Sequence, residues 1–370
     1  MRGMILAALA LGLAAPAGWA EAAQVPQAPQ APEAKEYWTV SDQRLSFGPA
    51  RLSAPRRAAG VEYFETAEFS HKGEGLDTAI KYRSADQKIF ATLYVYYPSF
   101  AHSGVQAIAT DQAIRGPRSP AIRALGGGIA PAAGTPGVAV TADYDHYLGE
   151  NRTKAAFIKA GRWMVKLRVT GPESRSAEVE AVMAAVLGGL RFEGATKPVA
   201  AMPLAAGECE AGDRADAGPA PGGGEAITIA LADAAGQPAG NAKGGDRKGF
   251  PSRIGRDWCR TLLQVGEQKT AVLQATGKSG SGPRSVMLVL YSDSGGVLEV
   301  VHVPKERKYL LLHHDIAEVK VLESFDSLPS LAQIGRLFSG QAPTSIRARV
   351  RLKPDGPADV ELPGAPENEG

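Results

Sequence analysis

Six histidines supply side chains that titrate near neutrality: His71, His102, His146, His302, His313 and His314. His302 and the run His313-His314-Asp315 fall on neighbouring strands of one expected hairpin. Imidazoles on adjacent strands can share a metal ion. His313 and His314 are consecutive, so in a strand they point to opposite faces, and one of them at most can join His302. Two ligands do not close a metal site. No metal or cofactor is assigned, and metal binding at this hairpin stays an open alternative.

The densest polar and aromatic cluster is Asp143-Tyr144-Asp145-His146-Tyr147. Strand alternation puts Asp143, Asp145 and Tyr147 on one face and Tyr144 and His146 on the other. Two carboxylates two residues apart can hold a cation or act as an acid/base pair. The plainer reading is the wet end of a strand before a turn at Gly149.

Other motifs fail on spacing. Gly277-Lys278-Ser279 matches the end of a phosphate-binding loop, but Val272 stands where that loop needs glycine. The segment also joins two expected strands rather than leading into a helix. Ser279 and Ser281 do not fit a nucleophile elbow. His71 and Glu74 lack the second histidine of a zinc protease. No catalytic residue is assigned. The two cysteines, Cys209 and Cys259, are too far apart for a redox pair or zinc knuckle and are expected to form a disulfide.

The elements that position these groups follow from periodicity. Trp163, Val165, Leu167 and Val169 alternate with Met164, Lys166, Arg168 and Thr170, which is a strand with one buried face. Val179, Val182, Met183, Val186 and Leu190 form one helical stripe, ended by Gly188 and Gly189. The run IFATLYVYY at 89–97 is apolar on both faces, as in a central strand. Strands are also expected at 61–70, 77–83, 138–146 and 153–159, and a helix at 104–115. The second half reads as strands at 226–231, 258–265, 269–276, 284–292, 297–303, 308–314, 316–323 and 345–352, with a helix at 328–338.

The strand at 89–97, the strand RWMVKLRVTGP at 162–172 and the helix and strand SAEVEAVMAAVLGGLRF at 176–192 resemble the PsbP/Mog1-type α/β sandwich domain of bacterial secreted proteins. The resemblance covers about residues 40–193. It implies an antiparallel sheet with helices on its faces, in accessory or binding proteins without a shared catalytic centre. It carries over no functional residue. The expected fold class is α+β: this N-terminal sheet with flanking helices, plus a second, mainly antiparallel-β domain with one helix.

Composition divides the chain further. Arg2, the apolar run from Met4 to Ala15 and small residues near Ala20 form a secretory leader over 1–21, too short to span a bilayer. Cleavage would leave a first residue between Glu21 and Gln24. A Pro/Gln/Ala tether over 22–36 and a tail over 353–370 bury too little to fold. Between them lie a domain at 37–193, a Gly/Pro/Ala linker at 194–225 and a β-rich domain at 226–352. With 41 basic against 39 acidic residues, the chain has no electrostatic footprint for nucleic acid.

These features describe an exported, non-enzymatic accessory or binding protein of the bacterial periplasm, or one secreted further. It has no transmembrane span after cleavage, and another envelope protein is its expected partner. The alternative is a hydrolase whose site is assembled from sequence-distant residues. The expected binding surface gathers Tyr94, Tyr96, Tyr144, His146 and Tyr147, because tyrosine gives contact area and a hydroxyl handle at low entropic cost.

Overall fold

The computed structural model describes residues 37–362 apart from 71–73, 117–120, 195, 211, 213, 221–253, 255–256, 266–267, 278–282 and 342–344. The leader, the tether, the expected strand at 226–231, His71 and the 278–282 loop lie outside the described residues.

The first strands in the chain are β1 (Trp38–Val40), β2 (Arg44–Phe47), β3 (Leu52–Pro55), β4 (Arg57–Ala58), β5 (Val61–Glu68), β6 (Asp77–Ser84) and β7 (Phe90–Tyr96). Helix α1 (Ser103–Arg115) follows. After it come β8 (Arg123–Ala132), β9 (Thr135–Tyr147), β10 (Asn151–Ala160), β11 (Trp163–Pro172), helix α2 (Ser176–Gly189) and β12 (Arg191–Phe192). These strands make an eight-stranded sheet of order β4-β5-β6-β7-β11-β10-β9-β8 and a small sheet, β1-β2-β3-β12. The remaining strands are β13 (Ala206–Glu208), β14 (Trp258–Val265), β15 (Gln268–Ala275), β16 (Arg284–Leu290), β17 (Val297–Val303), β18 (Lys308–Asp315) and β19 (Glu318–Phe325). Helix α3 (Leu331–Phe338), β20 (Ala348–Arg351) and β21 (Asp359–Glu361) complete the chain. They form a nine-stranded sheet in chain order, antiparallel except where β13 runs parallel to β14.

The expected α+β class is overturned. Among the described residues strands make up 52% and helices 14%, and the several sheets curl into a half-barrel rather than an α+β sandwich with flanking helices. The PsbP/Mog1-like arrangement expected for the first half falls with it. The reason lies in what covers each sheet. On the inner face of the eight-stranded sheet, Leu93, Val165, Leu167 and Ile158 pack on Val182 and Val186 of α2. The same core continues into Leu45, Phe47 and Leu52 of the small sheet and into Val301, Leu310 and Leu312 of the nine-stranded sheet. Two helices of 13 and 14 residues cannot cover that area, so sheets close the core.

Helix α1 is held between the two large sheets. Its start is capped by His102, whose Nδ1 accepts from the Val105 N–H at 3.3 Å. Burial and Lys159 push the His102 pKa down to about 4, so the ring stays an acceptor. Toward the eight-stranded sheet, Gln106 accepts from the Tyr96 hydroxyl at 3.2 Å. Toward the nine-stranded sheet, Val105 and Ala109 pack in a core with Trp258, Leu273 and Leu290. Arg260 Nη1 of β14 lies 2.8 Å from Asp111 of α1. A Cβ at Gly104 would stand 2.4 Å from the Met202 carbonyl oxygen, so the helix start accepts glycine.

Residues 197–220 run against all of these parts. The Val199 N–H donates to Lys159, the Met202 N–H to Ser103 Oγ, and the Ala220 N–H to Ser324. Midway, Cys209 and Cys259 form a disulfide that fastens β13 to β14. Closing a loop with a sequence separation of 50 removes unfolded-state entropy worth about 4 kcal/mol in the chain-entropy model. Calorimetry with and without reductant should therefore give a melting temperature several degrees lower for the reduced protein. An unchanged melting temperature would contradict this role.

Candidate binding face

The outer face of the eight-stranded sheet is read from its register. Arg83, Phe90 and Thr170 lie side by side on β6, β7 and β11; Lys81, Thr92 and Arg168 form the next row; Ala79, Tyr94 and Lys166 the third; Asp77, Tyr96 and Met164 the last. Period-two alternation keeps all four rows on one side. The last row is sealed: Tyr96 and Met164 are buried in a cluster with Phe157 and Val140 beneath α1. The first row is open, with Phe90 44% exposed.

Cations and rings alternate across the open end. The Arg83 guanidinium sits over the Phe64 ring at 4.7 Å, Lys166 Nζ over Tyr94 at 4.5 Å and the Arg168 guanidinium over Tyr147 at 4.4 Å. Phe64 and Phe69 are exposed as well, and Phe69 lies 6.3 Å from Tyr94 between ring centroids. Lys166 is neutralised by Asp293 Oδ2 at 2.8 Å, and Lys81 by Glu65 at 3.2 Å. Among the described residues, Arg83 and Arg168 have no carboxylate within ion-pair distance. Beside Arg83 and Phe64, a shallow groove of about 610 Å³ opens between the β4–β5 and β6–β7 turns.

Of the five residues expected to form a surface, two flank this face and three do not. Tyr94 and Tyr147 are half-buried, each under a cation. Tyr96 and Tyr144 are interior, at 0% and 2% exposure, and burial raises both phenols. His146 is exposed but turned away, its Nδ1 3.0 Å from Glu173. His146 has φ 54°, which breaks the alternation and brings Tyr147 into the same cluster as Tyr144. The two carboxylates of this stretch are each held by an arginine, Asp143 by Arg152 and Asp145 by Arg123.

The histidines on the second half separate. His302 stacks on Tyr309, and His313 stacks on Tyr291, whose hydroxyl lies 2.8 Å from Nε2. His314, on the opposite face from His313, belongs to a buried chain that the sequence did not reveal. Ser99 Oγ lies 3.1 Å from His314 Nδ1, and His314 Nε2 lies 2.9 Å from Glu299, which also accepts from Ser285. The signal within reach was Glu299 itself, a lone acid in the apolar strand VLEVVHV. Its partner Ser99 is 215 residues from His314, and only the fold joins them. No protein-family model matches this sequence, and neither a curated protein nor a solved structure matches it significantly.

One more group stands at the sealed end. Asp77 is buried, and its surroundings hold Lys166, Glu68, Asp293 and Asp315. Burial first, then the three carboxylates, push its pKa up to about 7 against the opposing pull of Lys166. The folded state thus binds a proton that the unfolded chain has released, so stability falls as pH rises from about 4 to 7 and is flat above. Asp77→Asn removes this term. The variant should be more stable than the parent at pH 8, by up to about 4 kcal/mol, with the gap closing toward pH 4. Chemical denaturation at both pH values checks this, and a gap that widens on acidification would refute it.

Proposed function

We propose that this chain is an exported, non-enzymatic binding or accessory protein of the bacterial envelope, whose ligand meets the open end of the eight-stranded sheet. The observation that carries the reading is the set of exposed rings at Phe64, Phe69 and Phe90 beside the guanidinium groups of Arg83 and Arg168, which among the described residues face no carboxylate within ion-pair distance. Large apolar side chains are seldom left in water together unless something covers them. Guanidinium groups stacked on rings are suited to recognition because the stacked side chain is already ordered. Export rests on the leader pattern, and the disulfide is compatible with an oxidising compartment.

A hydrolase is the second reading, and one observation favours it: Ser99, His314 and Glu299 form the hydrogen-bonded order of an acyl-transfer relay. Against it, His314 is 1% exposed and packed edge-on to Phe100, which suits a buried polar clasp better than a proton shuttle serving substrate. Labelling with a fluorophosphonate distinguishes the two, since the binding reading expects no adduct at Ser99.

The binding reading is tested by capture from an envelope extract. Phe90→Ser and Arg83→Glu should each abolish retention of ligand, while the melting temperature stays within a degree or two because exposed substitutions cost about 0.5 kcal/mol or less. Tyr96→Ala, by contrast, should cost about 3–5 kcal/mol as a core truncation. Unchanged capture by both surface variants would overturn the proposal.

A further inference from the structure

The chemistry of the open face narrows what it can hold. The central strands β6, β7 and β11 are not edges: each pairs with a strand on both sides. An extended peptide adds to a sheet by taking unpaired backbone groups at an edge, and the middle of this face offers none. Recognition there must come from side chains alone.

Those side chains are of three kinds. Phe90 presents a ring whose flanking register partners are Arg83 and Thr170, so its outer surface is free to stack. Thr92 and Thr170 bring hydroxyls into the same two rows, the Thr170 hydroxyl already hydrogen-bonded to Thr153 Oγ1 at 2.7 Å. Arg83 and Arg168 bring guanidinium groups that sit over the Phe64 and Tyr147 rings. A guanidinium covered on its face keeps its in-plane N–H edge for a planar anion, and a carboxylate fits that edge bidentately. Arg168 spends one bond of that edge on Thr153 Oγ1, at 3.3 Å. The two arginines stand two strands and two residues apart, about 12 Å between backbone positions by strand spacing and rise, and their head groups lean outward from there, Arg83 toward Phe64 of β5 and Arg168 toward Thr153 of β10 and Tyr147 of β9.

A ring to stack on, hydroxyls at its side and two carboxylate receptors set apart across the face describe a sugar acid polymer. A pyranose presents an apolar C–H face to an aromatic ring and hydroxyls at its rim. A uronic acid adds one carboxylate per residue. We infer that the ligand of this face is a linear carboxylated glycan, laid across β6, β7 and β11 with one sugar on Phe90 and carboxylates at Arg83 and Arg168. The inference rests on the reading of the open face as the binding site.

The probe is a defined oligogalacturonate, titrated calorimetrically into the full chain, with a neutral malto-oligosaccharide of equal length and poly-glutamate as comparisons. The oligogalacturonate should bind, weaken steeply with added salt, and lose about tenfold or more in affinity with Arg83→Ala, with Arg168→Ala and with Phe90→Ser. Equal binding of the neutral sugar, or tighter binding of poly-glutamate, would overturn the inference, as would oligogalacturonate binding that the three variants leave intact. If the oligogalacturonate fails to bind while Phe90→Ser and Arg83→Glu still abolish capture from the envelope extract, the glycan inference falls and the binding face stands. If those variants leave capture unchanged as well, both fall.

Discussion

The rest of the structure depends on the double burial of α1. A 13-residue helix is pressed between an eight-stranded and a nine-stranded sheet, and each sheet receives one of its sides. Tyr96 and Gln106 meet on one side; Val105 and Ala109 join Trp258 and Leu273 on the other. The helix therefore has no solvent face along most of its length, and its buried set includes Ser103, Gln106 and Thr110 as well as apolar residues. Its approach is close enough that Gly104 touches the chain at Met202, as Gly295 touches Pro98 nearby with φ +104°. Each of these contacts leaves no room for a Cβ.

Two consequences follow from where that helix stops. It covers β9 and β10 and the Tyr96 end of β7, so the Phe90 end of the same strand lies in water. One face of one sheet is thereby divided into an interior part and a surface part, although its residue types change little along the strand. The second consequence is polar. Where the two large sheets meet, the structure uses paired groups rather than a purely apolar seam: Lys166 with Asp293, and Ser99, His314, Glu299 and Ser285 in a buried chain. Buried charges of this kind persist when they are hydrogen-bonded on every side, and removing one partner strands the other.

Much of this was legible from residue order. The alternation at 163–170 and the stripe through Val179, Val182 and Val186 appear as β11 and α2, and the hairpins of the second half appear as β14 to β19. What failed was class and coverage. Strands β1 to β4 are two to four residues long, too short for a periodic signal, and β8 carries Gly126-Gly127-Gly128, which strand propensity disfavours. Without those strands, residue order leaves only the helices to flank the first sheet. Tyr94 and Tyr96 could not be separated by pattern, since they share a face; a helix contact decides which is buried. Strand alternation puts Tyr147 on the wrong side because the left-handed turn at His146 interrupts the period. The Ser99–His314–Glu299 chain depends on tertiary contacts between strands far apart in the sequence, and no local rule reaches it.

The central claim is the division of that outer face into a sealed and an open end. Hydroxyl-radical footprinting with mass spectrometric readout of the ligand-free protein tests it at single residues. Phe64, Phe69 and Phe90 should be oxidised rapidly, while Tyr96, Phe157 and Tyr144 should react slowly until the protein is unfolded. Protection of Phe90 equal to that of Tyr96 would mean that the face is covered throughout, and would contradict the account.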